Sequence, residues 1–126
     1  MITRTYDLDL INSYLMQPDI LPEFFIADER HIYNLNLYFL LGRWGLFPCL
    51  RIGNSMECHA AIPYKHRGKK ALEDARGVIK WVFEKTMCNR VYSKARKIEK
   101  ARQRFNAMLL TRCGADETHV FYEVIK

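Results

Sequence analysis

Between Leu37 and Ile62 the apolar positions fall into three short runs, NLNLYFLLGRWG, LFPCLRIG and SMECHAAI, broken at Gly42 to Gly45 and at Gly53-Asn54-Ser55. Short apolar or alternating runs with tight-turn residues between them predict a meander of three antiparallel strands. After Pro63 the period lengthens: Ala71, Leu72, Ala75, Val78, Ile79, Val82 and Phe83 recur at three- and four-residue steps, with Lys80 and Glu84 on the wet side. That spacing predicts a helix of about seventeen residues, despite Gly77, which costs about 1 kcal/mol relative to alanine. NRVYSKA reads as a strand. KIEKARQRFNAMLLTRCG reads as a second amphipathic helix with Ile98, Ala101, Phe105, Met108 and Leu109 inward and Gly114 as its left-handed C-terminal residue. THVFYEVI closes the chain as a strand. Ahead of the meander, Asp7 suits the N-cap of a helix over residues 8 to 16, with Leu8, Ile11 and Leu15 on one side and Pro18 ending it. PDILPEFFIADERHIY, with its two prolines, predicts an irregular connection holding one helical turn. The order helix, three strands, helix, strand, helix, strand is an α+β arrangement, one sheet flanked by helices.

Composition narrows the class. At 126 residues, 49% hydrophobic and 27% charged, the chain is expected to form one packed domain spanning 1–126. The longest apolar run, Leu37 to Leu41, is far short of a membrane span, and MITRTYDLDL lacks the apolar segment of a secretion signal. A cytoplasmic location is expected. Cys49, Cys58, Cys88 and Cys113 are widely spaced, with no C-x-x-C pair, so reduced structural thiols are expected and no metal. The net charge of +6 is uneven: residues 1–42 carry six acids and two bases, whereas residues 43–126 carry eight acids and eighteen bases. A basic second part attracts phosphate-rich partners, whether nucleotide cofactors, nucleic acids or anionic surfaces. Lys94 to Arg104 places six bases in eleven residues, which keeps a nucleic-acid reading open, although no DNA-reading module or aromatic platform accompanies them.

Two segments carry a more specific signal. IPYKHRGKKAL, directly after a strand, and RVYSKARKIEKARQRFNAMLLTRCGAD resemble the GNAT superfamily of acyl-CoA-dependent N-acyltransferases, and more closely the short GNAT-like proteins often encoded by bacteriophages. The resemblance covers roughly residues 35 to 126 and implies a GNAT-like fold, with a mixed central sheet whose antiparallel meander is flanked by helices. It also implies acetyl-CoA, or another acyl-CoA, as cosubstrate and an amine as acceptor. In that family an R/Q-x-x-G-x-G/A loop opens a helix whose N–H groups bind the coenzyme A pyrophosphate, since a helix N-terminus offers unpaired donors and a positive dipole end. Arg67 matches the first basic residue and Gly68 the small residue after it. The resemblance thus assigns Ala61, Ile62, Arg67, Gly68, Lys69, Lys70 and Ala71 to the cofactor. Lys70 and Leu72 stand where the family has small residues, so Lys69 and Lys70 either replace backbone contacts with point charges or form the solvated first turn of an ordinary helix. Gln103 and Leu110 stand at about the positions of a family asparagine and a family tyrosine that protonates the departing thiolate.

Acyl transfer to an amine needs a base, a donor for the thioester oxygen and an acid for the thiolate. Strand alternation puts Glu57, His59 and Ala61 on one face and Cys58, Ala60 and Ile62 on the other, so Glu57 and His59 are candidate partners in the base. Backbone N–H groups around Ile62 would polarise the thioester. Tyr64, Tyr92 and His66 are substitute acids. A cysteine nucleophile at Cys58 or Cys88 lacks a legible Cys–His–carboxylate set. The altered loop and absent tyrosine leave room for a rival, a catalytically silent GNAT scaffold serving as a phage virion, assembly or interaction protein. Acidic Asp19, Glu23, Asp28 and Glu29 suit a basic amine or a lysine-bearing partner, and exposed sheet edges suit a homodimer.

Overall fold

The meander forms as its apolar runs predict, with strands β2 (Leu37–Leu41), β3 (Leu46–Ile52) and β4 (Ser55–Cys58) pairing antiparallel in sequence order. The computed structural model describes residues 1–17 and 25–126. Around the meander lie β1 (Thr3–Arg4), α1 (Leu8–Leu15), α2 (Glu29–Tyr33), α3 (Lys69–Lys85), β5 (Arg90–Arg96), α4 (Lys100–Ala107), β6 (Thr111–Ala115) and β7 (His119–Ile125), with a 3-10 turn at Tyr64–His66. The seven strands make one mixed sheet in the order β1-β2-β3-β4-β5-β7-β6. Only the central β4–β5 pair is parallel, and α3 supplies the long crossover that a parallel pair requires.

Strand alternation builds two cores from one sheet. Leu40, Phe47, Cys49 and Met56 face Val78 and Val82 of α3, while Phe39, Leu46 and Ala61 face Ile11 and Leu15 of α1. Asp7 caps α1 by accepting from the Leu10 N–H at 3.1 Å, and α3 runs the expected seventeen residues. Gly77, unfavourable for the helix alone, admits the N-terminal segment: a Cβ there would lie 2.9 Å from Ile2 Cγ1. The helical turn of the irregular connection is α2, capped by Asp28. Pro18, Asp19 and Glu23 lie outside the described residues.

The second half of the chain corrects four expectations. The helix drawn from Ile98 through Gly114 is only α4, because Leu109 and Leu110 leave the helix and Thr111–Ala115 add an edge strand to β7. Gly114 therefore sits in that strand beside an irregularity in register, and its φ is not positive. Ile98 and Met108 are 80% and 62% exposed, and Ala101 is also exposed, so the apolar stripe read along this segment is only partly internal. Short β1, and β6 with its Thr-Arg-Cys-Gly-Ala composition, lack the apolar alternation that identifies a strand, which is why five strands were expected and seven form.

Candidate functional site

The site begins where two central strands part. β4 and β5 pair over Ser55–Arg90, Met56–Val91 and Glu57–Tyr92. Beyond Cys58 the chain stays with β3 instead: the His59 N–H donates to Pro48 O at 3.0 Å, and Ala61 and Leu46 exchange hydrogen bonds of 2.7 and 3.1 Å. β5 meanwhile continues to Arg96 along β7. Because alternate peptides point to opposite edges of a strand, binding His59 and Ala61 to β3 turns the Ala60 and Ile62 amides into the gap. Among the described residues no acceptor meets either N–H. Such a strand edge is a ready partner for an extended ligand with amide groups.

The gap opens onto a cleft of about 640 Å³ between the start of α3 and one side of α4. Gly68 is the N-cap of α3 at φ 97°, a conformation that favours glycine. No side chain caps this helix, and the first hydrogen bond of the helix runs from the Leu72 N–H to Gly68 O at 3.0 Å. The N–H groups of Lys69, Lys70 and Ala71 are thus the unpaired donors of a helix end, aimed with the positive pole of the dipole. The Arg67 side chain folds back to donate to Ile62 O at 3.2 Å and lines the cleft, with Lys100, Arg102 and Arg104 across from it. The carboxylate in this lining, Glu99, is held by Arg96 at 3.1 Å and Arg102 at 3.7 Å. The basic run of 94–104 is therefore divided between an edge of the cleft and solvent.

Lys70 does not reach into the cleft. Its ammonium lies 4.4 Å from the Trp44 ring centroid, with the His66 ring 4.9 Å from the same indole. The β2–β3 turn carrying Trp44 is fixed by Asp74 of α3, whose buried carboxylate accepts from the Arg43 and Trp44 N–H groups at 3.1 and 2.6 Å. Gly42 is needed for this approach, since a Cβ would meet that carboxylate at 2.5 Å. Gly68, not position 70, is the loop residue whose backbone demands glycine.

Deeper in, Ala60, Arg102 and Phe105 line both the cleft and a smaller cavity of about 70 Å³ beneath the parted strands. His59, Ser93 and Lys94 reach this cavity, whose floor is apolar, with Val78 and Leu109 among its residues. Glu57 and His59 are brought together, Oε2 to Nε2 at 3.4 Å, and Lys94 lies 4.0 Å from Oε1. The hydrogen bond with His59, aided by the charges of His59 and Lys94 and opposed by burial, holds the Glu57 carboxyl below the ordinary glutamate range. Glu57 is thus a fixed anion that orients His59.

The three substitute acids separate. Tyr92 stands opposite Glu57 in the parallel register, its hydroxyl pushed up by burial and then by the Glu57 charge. Tyr64 is 77% exposed in the 3-10 turn, with Arg67 over its ring at 5.5 Å. His66 is pushed down, first by desolvation and then by Lys65 and Lys70. None of the three lines either cavity. Cys58 lines the inner cavity, but hydrogen bonding to Cys49 and then burial push its thiol well up, which makes a poor nucleophile.

Sequence reasoning missed Ser93, Phe105 and Asn106 in this lining, and saw Lys94 and Arg102 only as members of a basic run. Gln103, at about the position of the family asparagine, donates to Arg96 O and Lys97 O at 3.0 and 2.8 Å. Leu110 does line the inner cavity. The legible signal for Asn106 was an amide set among the apolar residues Phe105, Leu109 and Leu110.

No family model matches the sequence, and no curated protein matches it. Solved structures do share its architecture. A variant of the spermidine N-acetyltransferase SpeG from Vibrio cholerae superposes with a TM-score of 0.78 at 13% identity, over 99% of this chain and 94% of that one. The N-acetyltransferase PseH from Campylobacter jejuni, in complex with acetyl coenzyme A, gives 0.74 at 13% identity over 100% and 99%. A GNAT-family acetyltransferase from Bacillus anthracis gives 0.70 at 15% over 98% and 93%. The fold is therefore the α+β GNAT type.

Proposed function

We propose that this protein transfers a short acyl group from acyl-CoA to an amine. One observation carries the reading: the Ala60 and Ile62 amides of the parted strand and the bare N-terminus of α3 open onto connected cavities. A strand edge followed by a helix N-terminus suits a ligand that is amide-bearing at one end and diphosphate at the other, and acyl-CoA has that order of groups. Arg67 and the basic side of α4 complement its phosphates.

In this reading the acyl thioester lies at the parting of β4 and β5. His59, oriented by Glu57, takes a proton from the acceptor ammonium. The amine nitrogen then attacks the thioester carbon, and the Ala60 N–H stabilises the oxygen as it gains charge. Collapse breaks the carbon–sulfur bond and forms the amide; the second proton shed by the nitrogen goes to the departing thiolate, giving coenzyme A thiol, and the proton that His59 removed passes to solvent.

The rival is the same scaffold without turnover, a virion or assembly component. The leucine at position 110 in the cavity lining favours it, since that side chain donates no proton. Release of coenzyme A thiol from acetyl-CoA, followed with spermidine, lysine and an N-terminal peptide as acceptors, separates the two. The expected outcome is amine-dependent release that falls about 100-fold or more in His59→Ala, the scale of a lost acid–base group. Tight acetyl-CoA binding with no release above the uncatalysed rate for any amine would overturn the enzymatic reading.

A further inference from the structure

Two polar residues are buried among the described residues, Asp74 and Asn106. Asp74 has its partners. Asn106, in the last turn of α4 and only 6% exposed, presents an amide Nδ2 with no hydrogen-bond partner. It lines the inner cavity and not the outer cleft. An orphaned buried donor costs stability that an apolar residue of the same shape would not, so the protein retains here a group whose acceptor must arrive from outside.

The surroundings define that acceptor. Arg67, Lys100, Arg104 and the helix end face the outer cleft, which suits the charged part of a ligand, while Arg102 borders both spaces and Lys94 reaches the inner one beside Glu57. The inner cavity holds about five water-sized spheres of space, enough for a few heavy atoms against Phe47, Val78 and Leu109. A neutral amide donor in a small, largely apolar chamber matches a neutral carbonyl oxygen.

Building on the acyl-CoA reading, we infer that Asn106 donates a hydrogen bond from Nδ2 to the carbonyl oxygen of the acyl thioester. It acts as a second donor beside the Ala60 N–H and selects the acylated cosubstrate over free coenzyme A. Asn106 is thus a specificity residue on a helix whose basic side chains Lys100, Arg102 and Arg104 line the outer cleft. The chamber's size also restricts the acyl group to a short one.

Calorimetric titration of acetyl-CoA and of free coenzyme A into the wild type, Asn106→Leu and Asn106→Asp tests this. The leucine variant is expected to bind acetyl-CoA about tenfold more weakly, the loss of one hydrogen bond, to bind free coenzyme A within about twofold of wild type, and to melt at a higher temperature. Asn106→Asp keeps the shape and removes the donor, so the same selective loss is expected there even if the leucine variant folds poorly. Equal affinity for acetyl-CoA in wild type and both variants, or an equal loss for the two ligands, would overturn the inference while leaving the acyl-CoA reading intact. Failure of the wild type to bind either ligand would overturn both.

Discussion

The helices that flank the cleft each bury one polar side chain, and the two are opposites. Asp74 of α3 sits in a closed arrangement, its carboxylate accepting from two backbone N–H groups of the β2–β3 turn. Asn106 of α4 leaves Nδ2 with no partner in a cavity wall. The apolar residues differ in the same sense, since α3 buries Ala71, Leu72, Val78 and Val82, whereas Ile98 and Met108, flanking α4, stand exposed on the cleft. A helix optimised for its own protein satisfies its buried polar groups and hides its apolar ones. Where both rules fail along one short helix, a ligand is the missing neighbour.

The largest effect that sharpens this contrast is expected at Asp74. Asp74→Ala removes the buried acceptor of two part-buried N–H groups and releases the turn holding Trp44, with a loss of about 2 kcal/mol in chemical unfolding. Loss of less than about 1 kcal/mol would mean the clamp is not structural. Next is a pair of truncations on the two helices. Val82→Ala, at a fully buried position, should cost about 2 kcal/mol and leave acetyl-CoA affinity unchanged. Met108→Ala should do the reverse, changing stability by less than about 0.5 kcal/mol while weakening acetyl-CoA several-fold. A melting temperature that falls as far in Met108→Ala as in Val82→Ala would erase the distinction.

The smallest effect is a pH dependence. Glu57 is held below the ordinary carboxylate range chiefly by its hydrogen bond with His59, so the folded protein keeps it ionised where the unfolded chain has already taken up a proton. Its contribution is complete above the unfolded glutamate value of about 4.3 and is lost as pH falls through the lower folded value. Glu57→Gln is therefore expected to lower stability near neutrality by that contribution and to flatten the fall within the acid window, so that the two proteins converge below it. An unchanged acid limb would show that the pair contributes nothing to folding.

Legibility in the sequence followed the same divide. α3 was readable to its length because burial against a sheet imposes a regular stripe, and the β2–β4 meander was readable from its turn residues. α4 was overextended because Ile98 and Met108 mimic the continuation of a stripe, although they line an open cleft. Gly68 was assigned to the phosphate-facing loop from the resemblance, but its special backbone conformation, and the withdrawal of Lys70 onto Trp44, depend on contacts between segments distant in sequence. The pairing of Glu57 with His59 followed from alternation alone. Lys94 joins them through the β4–β5 register, and Asn106, although an amide set among apolar residues, is distinguished by its lack of a partner, which no local pattern encodes.

Titration of acetyl-CoA into the full chain, read as the shift in melting temperature and repeated with Arg67→Glu, tests the central claim most directly. Occupancy of the cleft predicts a saturable upward shift, corresponding to about 2.7 kcal/mol when the ligand reaches a hundred times its dissociation constant, and a shift much reduced in Arg67→Glu. A melting temperature unmoved by millimolar acetyl-CoA, or a shift that Arg67→Glu leaves intact, would contradict it.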